Sequence, residues 1–425
     1  VNGLTEEPVQ EPECPCLPGG LIPVGQWKTP ETSVRRSLKD AFRHLLAQIH
    51  AGVATGDRKF ESLDNLPELS RSKLQTLAPQ PDYPKLAGAL SSALENARSD
   101  GTVDQNVTFL VAAPFSGVRS ALECFPELEP TQIGAHGPWT VIVPPENLLM
   151  DDQGAHEWWG RQDLSRPWII PELADFWLRH LSGLALIREL LRRVAGGGLG
   201  PGVIGCSSWC WQFWSAYFQD VHFAPLTPAP LDAAGLGAWF EFHASKAGQQ
   251  AVIARMADDG LCVLPMPEQG DGKKHKRSGY LRDLASAARG NPGVALAIWQ
   301  RSLRARPEEE SQAEDQGQEA TGNARATRFW VVPFDQLGLP IVPQTQGDNI
   351  GLVLHALLLH DGLDALSLAL VTGIPESELS FVLARLVRSE LIEQPAAGQG
   401  WMVTALGYPS VRRHLQSWGF PVDML

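Results

Sequence analysis

The sequence predicts an α/β protein: a parallel sheet core followed by a C-terminal winged helix-turn-helix unit. Three observations carry this. Short apolar runs at Val107 to Ala112, Trp139 to Val143 and Val203 to Cys206 alternate with stretches of helical periodicity, as strands of a buried parallel sheet do. The first run breaks at Pro114 and turns into a helix near Ser120, giving strand, tight turn and helix in succession. From Ile350 onward, three helical segments precede two short strand-like stretches around a glycine-bearing tip and a last helix.

Taken in order, residues 1–35 are rich in Pro and Glu and are expected to form a flexible arm. Residues 36–100 read as an N-terminal helical region. Leu38, Phe42, Leu45, Leu46 and Ile49 recur at helical spacing between Val34 and Gly52, as do Leu86, Leu90 and Leu94 between Tyr83 and Arg98. Residues 101–304 are assigned to the α/β core and the helical segments that follow it. Pro171 suits the first turn of a helix reaching Val194, which Gly196-Gly197-Gly198 ends. Ser207 or Ser208 can cap a helix from Trp209 to Phe218. Val221 to Phe223 is a further expected strand, and Leu231 to Met256 an expected helix. Gly270 to Gly279 is a basic loop, and Gly290-Asn291-Pro292-Gly293 opens a helix through Trp299 and Leu303. Residues 305–327, acidic and rich in Gln, Ala and Gly, are expected to be a disordered insertion.

Residues 328–425 hold a connecting strand at Phe329 to Val332 and then the winged-helix unit. Its expected helices are Ile350 to His360, Asp364 to Val371, Pro375 to Ser389 and Tyr408 to Trp418. Leu391-Ile392 and Trp401 to Val403 pair as the wing.

Composition narrows the function classes. A formal net charge of -13 argues against general affinity for nucleic acid or anionic membranes. The apolar stretch from Leu173 to Val194 carries Asp175, Arg179, Arg188, Glu189, Arg192 and Arg193, so no membrane insertion is expected. No signal peptide is visible, and a cytoplasmic, reducing setting follows. Cys14-Pro15-Cys16 is too tight for an ordinary zinc pair, and Cys206 and Cys210 read as buried thiols. No H-E-x-x-H or G-x-S-x-G motif is present, which removes support for a zinc protease or a serine hydrolase.

The stretch at Pro114 has the shape of a phosphate site, because a helix N-terminus after a tight turn offers free backbone N–H groups. The pattern G-x-x-x-x-G-K-[ST] falls on Ala113, Pro114, Phe115, Ser116, Gly117, Val118, Arg119 and Ser120. Ala113 and Val118 replace its glycines, Arg119 replaces the lysine, and Ser120 fits. Together with Val203 to Ser208, Pro225 to Trp239 and Gly290 to Leu296, this order resembles the AAA+ and STAND class of P-loop NTPases.

That resemblance implies a P-loop NTPase-like core with a helical lid over 101–304, a nucleotide site at Ala113–Ser120 with Ser207, Ser208 and Arg289, and ATP or ADP with magnesium held by Ser120. The class also places an acidic pair at the end of a core strand. Glu146, beyond Val143-Pro144-Pro145, is the nearest candidate for a catalytic carboxylate. Arginine keeps the loop's charge but not a lysine's compact geometry, and a branched residue sits where glycine allows close approach. These losses point to a degenerate, non-hydrolysing regulatory or scaffolding pseudo-ATPase, with or without bound nucleotide, acting on a protein partner. An active ATPase with unusual motifs is the first alternative. A winged-helix DNA-binding regulator using Arg385 and Arg388 is the second; Glu376, Glu378 and Glu390 beside them disfavour it. Homo-oligomerisation is left open.

Overall fold

The structure is a computed structural model that describes residues 16–30, 66–99, 106–128, 138–217, 223–245, 253–264, 277–305, 328–344, 347–395 and 400–425. The expected helix Val34 to Gly52, most of the basic loop Gly270 to Gly279 and nearly all of the insertion 305–327 lie outside these residues.

A first strand, β1 (Leu21–Pro23), is followed by α1 (Arg71–Leu77) and α2 (Tyr83–Ser99). The core then runs β2 (Val107–Ala112), α3 (Val118–Glu123), β3 (Thr140–Val141), α4 (Asp152–Gly160), β4 (Trp168–Ile170), α5 (Ala185–Gly196), β5 (Gly202–Ser207), α6 (Ser208–Tyr217) and β6 (Leu226–Pro228). The sheet order is β1-β6-β2-β5-β4-β3. Strands β2 to β6 are parallel, and β1 pairs antiparallel with β6.

Strand alternation builds two cores. Val107, Phe109 and Val111 face the layer of α4, α5 and α6, while Leu110 and Ala112 face that of α2 and α3. From β2 the chain crosses to the far edge at β3, steps back to β5, and then jumps over β2 to β6. The helices after the neighbouring strands β2 and β5 therefore lie on opposite faces. That is a topological switch point, where α/β sheets open a crevice at the carboxyl ends of their strands.

The segment expected to be the lid holds α7 (Ala233–Ser245), β7 (Ile253–Met256), α8 (Tyr280–Ala287), α9 (Pro292–Ser302) and β8 (Leu303–Arg304), and β9 (Arg328–Val331) follows. Strand β9 lies between β7 and β8 in a small second sheet. The C-terminal unit comprises α10 (Asn349–Leu359), α11 (Ala365–Thr372), α12 (Glu376–Arg388), the antiparallel pair β10 (Ile392–Glu393) and β11 (Met402–Val403), and α13 (Tyr408–Ser417). Lid and C-terminal unit share one core through Trp239, Phe240, Trp299, Leu354, Leu386 and Tyr408. No single helix among the described residues is long and apolar enough to cross a membrane.

Four expectations are corrected. The helix expected from Pro171 to Val194 is a strand ending at Ile170, two 3-10 turns and a helix starting only at Ala185. Trp168, Ile169 and Ile170 are fully buried, and burial on both faces of a sheet outweighs proline's helix-starting preference. The helix expected through Met256 is described over Ala233–Ser245, and 253–256 are a strand paired with β9. Residues 221 and 222 of the strand expected at 221–223 lie outside the described residues; β6 (Leu226–Pro228) has β2 and β1 as its neighbours. Part of the expected flexible arm, Leu21–Pro23, is an edge strand, a place where proline's missing N–H costs little. Finally, α2 packs on α3 as a layer of the core, so the core begins before residue 101.

Candidate functional site

The switch point carries the loop between β2 and α3. Ser116 donates its N–H to the Ala113 carbonyl at 3.2 Å, closing a turn with Pro114 second and Phe115 in the left-handed region, φ 68°. Gly117, φ 82°, then starts α3 in a conformation that favours glycine. Ala113–Ser120, Glu172, Ser207, Gln300, Asp361 and Met402 line a cavity of about 300 Å³.

The Arg119 guanidinium in this loop is already held. Its Nη2 lies 2.8 Å from Asp175 Oδ2 and its Nη1 is 3.3 Å from Asp175 Oδ1 and 2.9 Å from Asp361 Oδ2. Nε reaches Glu123 at 3.4 Å. Asp361 arrives from the C-terminal unit. It follows α10 in the left-handed region, φ 51°, with Gly362 next at φ 113°, and this reversal turns its side chain onto the loop.

Glu172 is the first acid beyond β4. It is buried, and its Oε1 accepts from the N–H of Ala174 at 3.0 Å and of Ser207 at 2.9 Å. Burial, and then the charge of Asp361, push its carboxyl up to about 8, against the pull of those two N–H groups. Burial pushes Asp175 up to about 6 although Arg119 opposes it, and burial likewise raises Asp361. Burial works against the Arg119 cation, but the charges of Asp175 and Asp361 overcome this and raise it. The site is thus one cation shared among acids, with Glu172 mostly protonated at neutral pH.

The lid closes over the same loop. Asn291 caps α9 by accepting from the N–H of Gly293 and Val294, and its Nδ2 donates to the Pro114 carbonyl at 2.5 Å. A Cβ on Gly293 would stand 1.9 Å from the Phe115 carbonyl oxygen, so only glycine allows this approach. The Phe115 ring packs edge-on against Tyr408 of α13 at 5.6 Å.

Of the expected nucleotide residues, Ala113–Ser120 and Ser207 come together around the cavity. Val118 both lines the cavity and belongs to the buried core of α2 and α3. Ser208 is elsewhere, donating to the buried Asp423. Arg289 also misses the cavity. It donates to the carbonyls of Met424 and Leu425, both at 3.0 Å, and lies over Trp27. Glu146 is exposed and outside the site, so it is no catalytic candidate. Arg385 and Arg388 are exposed on α12.

The acids at the site, Glu172, Asp175 and Asp361, were not foreseen. An apolar run followed by an acid, W-I-I-P-E, was the available signal for Glu172.

The residues present do not fit a bound magnesium triphosphate in this arrangement. The loop's cation is paired, burial raises the nearest strand-end carboxyl, and Asn291 and Gly293 sit on the turn. No family model matches the chain, and no curated protein does. Two solved structures are similar at a low level. A point mutant of Thermotoga maritima RuvB gives a TM-score of 0.30 at 13% identity, covering 80% of this chain and 95% of that one. The Aeropyrum pernix ORC2 protein, in ADPNP-ADP complexes, gives 0.29 at 12%, covering 92% and 96%. Likenesses this faint carry no argument about fold or function.

Proposed function

We propose that this protein is a degenerate P-loop protein of the AAA+ and STAND kind, a non-hydrolysing regulatory or scaffolding module that acts through protein contacts. One observation carries the reading: the loop arginine is neutralised from within, by Asp175 beside the sheet and Asp361 from the C-terminal unit. A triphosphate would have to displace two carboxylates to reach that cation, and it would meet their charge while doing so. The winged-helix reading of the C-terminal unit fits a structural role, since Asp361 ties that unit to the core.

Protein rather than DNA contact is favoured by the outer faces of α11 and α12. Leu366 and Phe381 are 70% and 78% exposed there. Acidic Glu376 and Glu378 share α12 with Arg385 and Arg388.

The test is a calorimetric titration with ATP and ADP, with and without magnesium, followed by a turnover assay. Absent binding at millimolar nucleotide is expected. Micromolar, magnesium-dependent binding with turnover lost in Ser120→Ala would overturn the reading in favour of a working ATPase.

A further inference from the structure

A second cavity, larger than the one at the loop, lies on the seam between core and C-terminal unit. Its volume is about 520 Å³, inside the ~300–1,000 Å³ typical of small-molecule sites. Helix α6 supplies Trp209, Gln212 and Phe213; α10 supplies His355, and Phe420 closes the far side. The walls are braced. Trp209 donates its indole N–H to the Tyr408 hydroxyl at 3.1 Å, and the His355 ring lies 6.0 Å from Trp209 and 5.5 Å from Phe420.

The polar groups here are few and of one sign. Arg179 is the cavity's charged residue, and no carboxylate lines it among the described residues. The Arg179 guanidinium has no ion-pair partner among the described residues; its backbone N–H is the group that meets His360. The Gln212 side-chain amide is likewise unengaged among those residues. His355 is neutral, since burial and then the charge of Arg179 push its imidazole down to about 4. The neighbouring cation Arg188 is already matched by Asp152.

We infer that this cavity binds a small amphipathic carboxylate, with an aromatic or aliphatic body against Trp209, Phe213 and Phe420 and its carboxylate on Arg179 and Gln212. An apolar hollow with one guanidinium unmatched among the described residues recognises that class of ligand, because a carboxylate takes up the fork of donors that those residues leave open. The inference stands apart from the nucleotide reading and survives its failure. Because α6 and α10 form the two walls, an occupant bridges the core and the C-terminal unit.

The experiment titrates the purified protein with 4-phenylbutyrate and with its uncharged counterpart, 4-phenyl-1-butanol, by calorimetry. The acid is expected to bind at least ~10-fold more tightly than the alcohol, the scale of one charge-assisted contact. Arg179→Gln should bring the two probes level. Ala216→Trp, which fills the cavity from an exposed position on α6, should abolish both while leaving the thermal melt unchanged. Equal affinity for acid and alcohol in the wild type, binding that persists in Ala216→Trp, or no binding of either at millimolar concentration would each overturn the inference.

Discussion

Replacing Asp361 with Asn keeps the shape of the contact to Arg119 and removes its charge. The two groups meet at 2.9 Å, with side chains 37% and 19% exposed. At an effective dielectric of ~20, charge centres ~4 Å apart attract by ~4 kcal/mol before desolvation is counted. Exposed pairs retain ~0–1 kcal/mol of net coupling, whereas breaking a fully buried one costs ~3–5 kcal/mol. Discounted for exposure, this contact is expected to show a coupling of ~2 kcal/mol between the two charges. A double-mutant cycle isolates it, using Asp361→Asn, Arg119→Gln and both together. Asp361 ties the C-terminal unit to the loop, so the assay is amide hydrogen exchange over residues 113–120 and 361–364. A loss of ~2 kcal/mol raises local exchange ~30-fold. Exchange in Asp361→Asn that matches wild type, or single changes that simply add, would refute the reasoning: the bridge would then be a passive surface pair and the loop would be closed by packing alone.

Three further outcomes follow from the same geometry. Glu172 has a carboxyl raised to about 8, so its contribution to stability is fully present below the ordinary carboxylate range and is lost as pH rises through about 8. Glu172→Gln should flatten that fall, with a ceiling of ~5 kcal/mol on the difference, seen in melting temperatures taken from pH 5 to 9. Gly293→Ala drives a methyl into the Phe115 carbonyl and should cost ~1–3 kcal/mol in denaturant unfolding, while the same change at exposed Gly160, which has open space around it, should cost less. Asp423 is buried against Arg412 at 3.1 Å and accepts from Ser208, so Asp423→Ala should cost ~3–5 kcal/mol by the same measurement.

Much of this protein is determined locally. Val107–Ala112 forms a strand because six successive residues suit burial on both faces, and the strand ends where the apolar run does. The three helices and hairpin after residue 348 follow from apolar spacing with local caps: Asp364 accepts from the N–H of Leu366 and Ser367, and Gly373 ends α11 in the left-handed region. Where two local signals competed, neighbours decided. Pro171 reads as a helix start, yet Trp168–Ile170 pairs with β5 and is drawn into the sheet. The candidate site divides in the same way. The loop is contiguous, so its succession of strand, tight turn and helix is legible in the sequence. Its electrostatics come from afar: Asp175 is 56 residues from Arg119, and Asp361 is 242 residues away. No pattern along the chain pairs them. A charge falls off with distance in space and not along the sequence, so only the folded arrangement of core, lid and C-terminal unit decides that the loop's one cation is already matched.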